Sequence, residues 1–205
     1  TLCIATLWSV IFGIWTIGSS SCAVTELNGT PLKSHQYNAF EFIDHTGSKI
    51  PELSNNGTGA LVSFLFTHCT DVCPITVHKM KKALLESDHP EIPIIIFSVD
   101  PERDDPIAIQ KFIEKWDLSE NWSFIGGKQE KLERVWKEFF VSPIISQPSG
   151  TKDSLADKFA EKYNIIHTAP VFVLDQKGIA RVVHSRIEKP EDLAQDINTI
   201  LKQYK

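Results

Sequence analysis

At 205 residues, with 42% hydrophobic and 23% charged side chains, the chain has the make-up of a soluble globule: one domain with a sizeable core, plus an appendage. Its net charge of −5 and the lack of any lysine/arginine run exclude a nucleic-acid binder, which needs a basic face.

The appendage comes first. No charged side chain precedes Glu26, and residues 2–17 are almost wholly apolar. This predicts that residues 1–22 form a signal or membrane-anchor segment outside the fold. The small residues Gly18, Ser19, Ser20 and Ser21 before Cys22 leave three fates open: an uncleaved anchor, lipidation at Cys22, or cleavage and secretion. All three put the domain in an extracytoplasmic space. Cys3 and Cys22 belong to this segment, so Cys69 and Cys73 are the cysteines of the fold. In an oxidising compartment these two pair unless a reductase or a metal keeps them apart.

Residues 23–37 read as a polar linker, with Asn28-Gly29 and Pro31 as turn signals, and residues 38–205 as the folded domain. Residues 40–44 alternate like a strand, and residues 45–48 turn the chain into a short partner at Lys49 and Ile50.

The organising stretch is LVSFLFTHCTDVCPITVHKMKKAL, residues 61–84. Residues 61–66 predict a buried strand, which breaks at Thr67. Pro74 marks a first helical turn, so Cys69 lies in the loop after the strand and Cys73 at the helix entrance. Four positions apart, the two sulfurs can face one side, and the unpaired N–H groups of the helix start favour thiolate over thiol. The spacing has one residue more than a thioredoxin-type redox pair, which leaves a disulfide open but also suits a soft metal, Cu(I) or less selectively Zn(II). A plain stabilising disulfide across so short a loop would remove little chain entropy.

Residues 93–100 (PIIIFSVD) predict a strand covered on both faces. Asp105-Pro106 fits a cap and first turn for a helix at 107–116, followed by a short strand at 122–125. A helix at 128–140 carries the apolar stripe Leu132, Val135, Trp136, Phe139 and Phe140, and residues 142–153 read as an inserted loop. Strands at 171–174 and 179–184, joined by residues 175–178, form a hairpin before a last helix at 190–203. This order is that of an α/β domain with a thioredoxin-like central sheet flanked by helices.

Of seven histidines, His35, His45 and His89 sit in polar contexts, His78 is angled away from the sulfurs, and His184 reads as a surface residue at a strand end. His167 stands just before the hairpin, three residues ahead of Pro170. In a thioredoxin-like sheet that segment runs beside the reactive loop, usually with a cis proline, which Pro170 could supply. An imidazole there would complete a Cys₂His site, with His68 as the competing nitrogen donor. Asp100, Arg103 and Asp104 follow a neighbouring strand; they either border the site, steering a basic partner or tuning the cysteines, or the two acids simply cap the next helix and turn.

The motifs FTHCTDVCP, FSVDPERDD and YNIIHTAPVFVLDQKG, in this order, resemble the Sco/SenC family of copper-binding, thioredoxin-like proteins of cytochrome c oxidase assembly. The resemblance covers roughly residues 38–203. It implies Cys69, Cys73 and His167 as ligands of Cu(I), with Cu(II) also in the family's range, and delivery to the dinuclear copper centre of oxidase subunit II. It also implies a copper donor and a thiol reductase as partners. A thiol–disulfide oxidoreductase using Cys69 and Cys73 on a partner's cysteines is the alternative. A peroxidase is disfavoured because the proline–threonine arrangement ahead of its nucleophilic cysteine is absent. A zinc hydrolase is disfavoured because only Asp71 stands near the cysteines as a further carboxylate.

Overall fold

The computed structural model describes residues 26–36, 42–50, 57–146 and 164–204. The predicted segment 1–22 lies outside them, and no helix among the described residues is long and apolar enough to cross a membrane.

The central strand is β2 (Ala60–Leu65), buried at every position as its β-branched and aromatic side chains require. It leads into α1 (Val72–Glu86). There follow β3 (Ile94–Ser98), α2 (Pro106–Lys115), β4 (Trp122–Ile125) and α3 (Gln129–Glu138). The hairpin strands are β7 (Val171–Leu174) and β8 (Ile179–His184), and α4 (Pro190–Gln203) closes the chain. Asp105 caps α2 by accepting from the Ala108 N–H at 2.7 Å, with Pro106 next to it. The hairpin turn is closed by Asp175, whose Oδ1 accepts from the Lys177 and Ile179 N–H groups at 2.9 and 3.0 Å, while Gly178 takes the positive φ of 74° that the turn needs.

With β1 (Thr30–Gln36), one sheet has the order β1-β8-β7-β2-β3-β4, with β2, β3 and β4 parallel and β7 antiparallel to β2. The C-terminal ends of the three parallel strands therefore share one end of the sheet. There β7 begins, β8 ends and β1 begins, since Ser63 lies opposite Val171, Val171 opposite His184, and Thr30 opposite Val183. One face carries an aromatic layer in which Phe64 meets Phe97, Phe139 and Phe172 at ring distances of 5.8, 5.3 and 6.2 Å. Elsewhere α1 and α4 pack side by side, joined at the surface by Lys82 and Glu191 at 2.8 Å.

Several expectations need correction. Much of the expected linker is strand: β1 (Thr30–Gln36) pairs with β8 as an edge strand, a place where Pro31 and a bulge between Pro31 and His35 are tolerated. The expected inserted loop contributes β5 (Ile144–Ser146), which pairs with β6 (Asn164–Ile166) in a separate ribbon. Phe140 leaves the apolar stripe, because α3 ends before it and a φ of +56° turns it out to 86% exposure. His184 is buried, not on the surface, and its Nε2 lies 2.8 Å from Asp196. All peptide bonds among the described residues are trans, including that before Pro170, in line with the usual preference of the bond.

Candidate metal centre

Because β2 is central and its chain turns at Thr67, the following loop emerges over the C-terminal end of the sheet, where open α/β sheets place their ligand crevice. Cys73 is fully buried in the first turn of α1, and Cys69 is half-buried in the loop before it. Both are free thiols. The Cys73 N–H donates to the Cys69 sulfur at 3.4 Å, as a helix start with unpaired N–H groups would.

That environment separates the two sulfurs. The hydrogen bond from the Cys73 thiol, helped by the backbone N–H groups of Cys73, Asp71 and Val72, outweighs burial and brings the Cys69 pKa down to about 6. Burial pushes the Cys73 thiol well up, and its proximity to Cys69 pushes it further. At neutral pH the pair is thus one half-buried thiolate and one fully buried thiol.

His167 arrives from the other side of the chain. It follows β6, whose Ile165 is anchored in the core, so the β5–β6 ribbon aims the segment at the sulfurs. Its Nε2 lies 3.9 Å from the Cys73 sulfur, and its ring packs edge-on to Phe66, centroids 5.5 Å apart. Nδ1 stands 2.5 Å from the Thr168 carbonyl oxygen. A carbonyl can only accept, so Nδ1 carries the proton and the neutral ring presents the Nε2 lone pair to the sulfurs. Burial holds the imidazole below its ordinary pKa, partly opposed by that carbonyl, which favours the neutral form a metal requires.

Cys73 is thus the middle member, touching Cys69 and His167. The three described donors that lie within 4.8 Å of one another are a different set, His68, Asp100 and Asp104. Their chemistry is already committed. Asp104, buried, accepts from Thr67 N–H at 2.9 Å, Thr67 Oγ1 at 2.7 Å and Ser98 Oγ at 2.5 Å. Asp100, also buried, is paired with Arg103, and exposed His68 shares a hydrogen bond with Thr67 Oγ1 at 2.9 Å. Neither Asp100 nor Asp104 caps α2; Asp105 does. Asp104 instead ties the turn ahead of Cys69 to the end of β3. Burial pushes its pKa up to about 6, against hydrogen bonds that favour the carboxylate. Sequence reasoning saw the acidic run but not this role, which depends on a contact 37 residues apart in the chain.

Two sulfurs and an imidazole are a soft donor set suited to Cu(I) and partly open to solvent through Cys69. A SCO1/SenC family profile matches residues 28–202. The SCO1 protein homolog of Bacillus subtilis is 26% identical over 172 residues, which cover 81% of this chain and 83% of that protein. Against mitochondrial relatives the chain spans little more than half their length, 57% and 53% for two of them. The structure of Bradyrhizobium japonicum ScoI with copper bound is 25% identical with a TM-score of 0.65, covering 82% of this chain and all of that one. That of BsSco, described as a member of the Sco family of cytochrome c oxidase assembly proteins with a disulfide switch, is 27% identical with a TM-score of 0.61, covering 85% and 98%. With the fold, the cysteine pair at the helix entrance and a profile spanning nearly the whole described domain, the chain belongs to the SCO1/SenC family.

Proposed function

We propose that this protein is an extracytoplasmic copper chaperone that binds Cu(I) through Cys69, Cys73 and His167 and delivers it to the dinuclear copper centre of cytochrome c oxidase subunit II. The observation that carries the reading is the His167 ring: its Nε2 lies 3.9 Å from the Cys73 sulfur, while its Nδ1 is occupied by the Thr168 carbonyl. A ligand histidine fixed by a hydrogen bond at its other nitrogen is the usual arrangement at metal sites. Copper is the cargo. Cys69 offers the first, already ionised sulfur, and Cys73 gives up its proton on binding. The half-exposed Cys69 is then the ligand a partner's thiolate displaces first. A copper donor and a thiol reductase complete the cycle, and the apolar segment holds the domain at the membrane, as the lipoprotein description of the Bacillus anthracis relative supports.

The split between the two thiols also favours a second reading, a thiol–disulfide oxidoreductase on a partner's cysteines. Cys69 would attack the partner's disulfide, and Cys73 would resolve the mixed disulfide, leaving the partner reduced and this pair oxidised. Titration of the reduced protein with Cu(I) against a competing chelator separates the two. One equivalent should bind tightly, and Cys69→Ala, Cys73→Ala and His167→Ala should each weaken it at least tenfold. Unchanged affinity in His167→Ala, together with brisk disulfide exchange on a subunit II peptide, would hand the function to the second reading.

A further inference from the structure

Asp196 of α4 takes no part in the metal centre, yet it is fully buried and fully engaged. Its Oδ1 accepts from the Asn28 N–H at 2.9 Å and Asn28 Nδ2 at 3.1 Å; its Oδ2 accepts from the Gly29 N–H at 2.8 Å and faces His184 Nε2 at 2.8 Å. Asn28 Nδ2 also reaches Asp192 O and Gln195 Oε1 on the same helix. A Cβ on Gly29 would stand 2.7 Å from Val182 Cγ2 and 2.8 Å from His184 Nε2, so only glycine lets the backbone come this close. A carboxylate is costly to bury unless its lone pairs are filled, and here the chain's own entry point fills them. Asn28 and Gly29 are therefore clasped before β1 pairs along β8.

The clasp lies at the metal end of the sheet. Thr30 is opposite Val183, His184 opposite Val171, and Val171 opposite Ser63, just before the turn to Cys69. Three strand spacings, about 14 Å, separate β1 from β2. Upstream, residues 18–27 are all that lie between the apolar run and Asn28. Even fully extended, that stretch spans at most about 35 Å, and less where lipid at Cys22 holds the chain.

We propose that the Asp196–His184 clasp on Asn28 and Gly29 turns the metal end of the domain toward the membrane that holds residues 1–22. This rests on the membrane-anchor reading above. The same end exposes the apolar side chains of Val72, Ile75 and Ile166, a surface fitted to the bilayer interface.

The test uses the full chain in nanodiscs containing gadolinium-chelate lipids, with amide NMR signals read at both ends of the sheet. Signals of His68 and Thr168 should broaden severalfold more than those of His89 and Lys177 at the opposite end. In Asp196→Asn and His184→Ala the difference should collapse while Cu(I) affinity stays unchanged. An insertion of about twelve Gly/Ser residues after Val24, which leaves the clasp intact, should do the same by lengthening the tether, and it covers the case in which a clasp variant fails to fold. Equal broadening at both ends, or stronger broadening at the far end, in a chain that does sit in the nanodisc overturns the orientation while sparing the anchor. A chain that does not enter the nanodisc overturns the anchor reading and the orientation with it.

Discussion

Four positions apart in sequence, Cys69 and Cys73 occupy opposite chemical environments, because the loop sulfur collects N–H donors and the helix sulfur is sealed in the core. Alkylation of the apo protein by iodoacetamide should modify Cys69 with a half-point near pH 6 and leave Cys73 untouched until the protein unfolds, as peptide mass spectrometry would read. Equal labelling of both would refute the asymmetry. Asp104 makes a second case. Asp104→Asn keeps the volume but puts an NH₂ where an acceptor stood, so at least one of the Thr67 and Ser98 donors loses its partner in a buried place. The expected loss is about 1–3 kcal/mol by urea unfolding, with weaker copper binding as the turn before Cys69 loosens.

Among elements, the β5–β6 ribbon matters most to function, since it alone carries His167 to sulfurs 94 residues earlier in the chain. Its hold on the domain runs through Ile165, buried between exposed neighbours Ile166 and Ile144. Ile165→Ala should cost about 2–4 kcal/mol, measured by chemical unfolding, and should weaken Cu(I) binding although no ligand is changed. Retained affinity with lost stability would mean that His167 is placed by its own contacts with Phe66 and Thr168 instead. The central layer under the site is more heavily braced: Phe139, just past α3, meets both Phe64 and Phe172, at 5.3 and 4.9 Å. The scaffold is therefore rigid on the cysteine side, and the histidine side hangs on one short ribbon.

At the scale of the molecule, the clasp links the last helix of the described fold, α4, to the entry into its first strand, β1. Burial opposes ionisation of Asp196, but the donors from His184, Asn28 and Gly29 outweigh it and hold the carboxyl below the usual carboxylate range. A carboxyl depressed in the fold contributes stability that is complete above the unfolded value of about 3.9 and drains away as pH falls through the folded one. Asp196→Asn should accordingly lose stability at neutral pH and show a flatter acid limb in a urea-midpoint-against-pH series. A parallel shift of the whole curve would remove Asp196 from the acid dependence.

What could be read from the linear chain was local. The run from β2 into α1, Pro74 in the first turn, the Asp105 cap and the hairpin turn at Asp175 are all decided by neighbours within a few residues, and the elements they predicted stand where they were expected. The cysteine pair belongs to the same class, because a strand–turn–helix junction brings both sulfurs together without help from the rest of the fold. Expectations failed where the deciding partner was far away. An edge strand looked like a linker because β8, which pairs with it, lies some 150 residues on; His184 looked exposed because its carboxylate sits on a different element. The approach of His167 to Cys73, the support beneath Thr67 and the end of the sheet at which the chain enters are likewise tertiary facts. Sequence pattern chose the donor types through local chemistry, and long-range packing alone chose where they meet and which way they face.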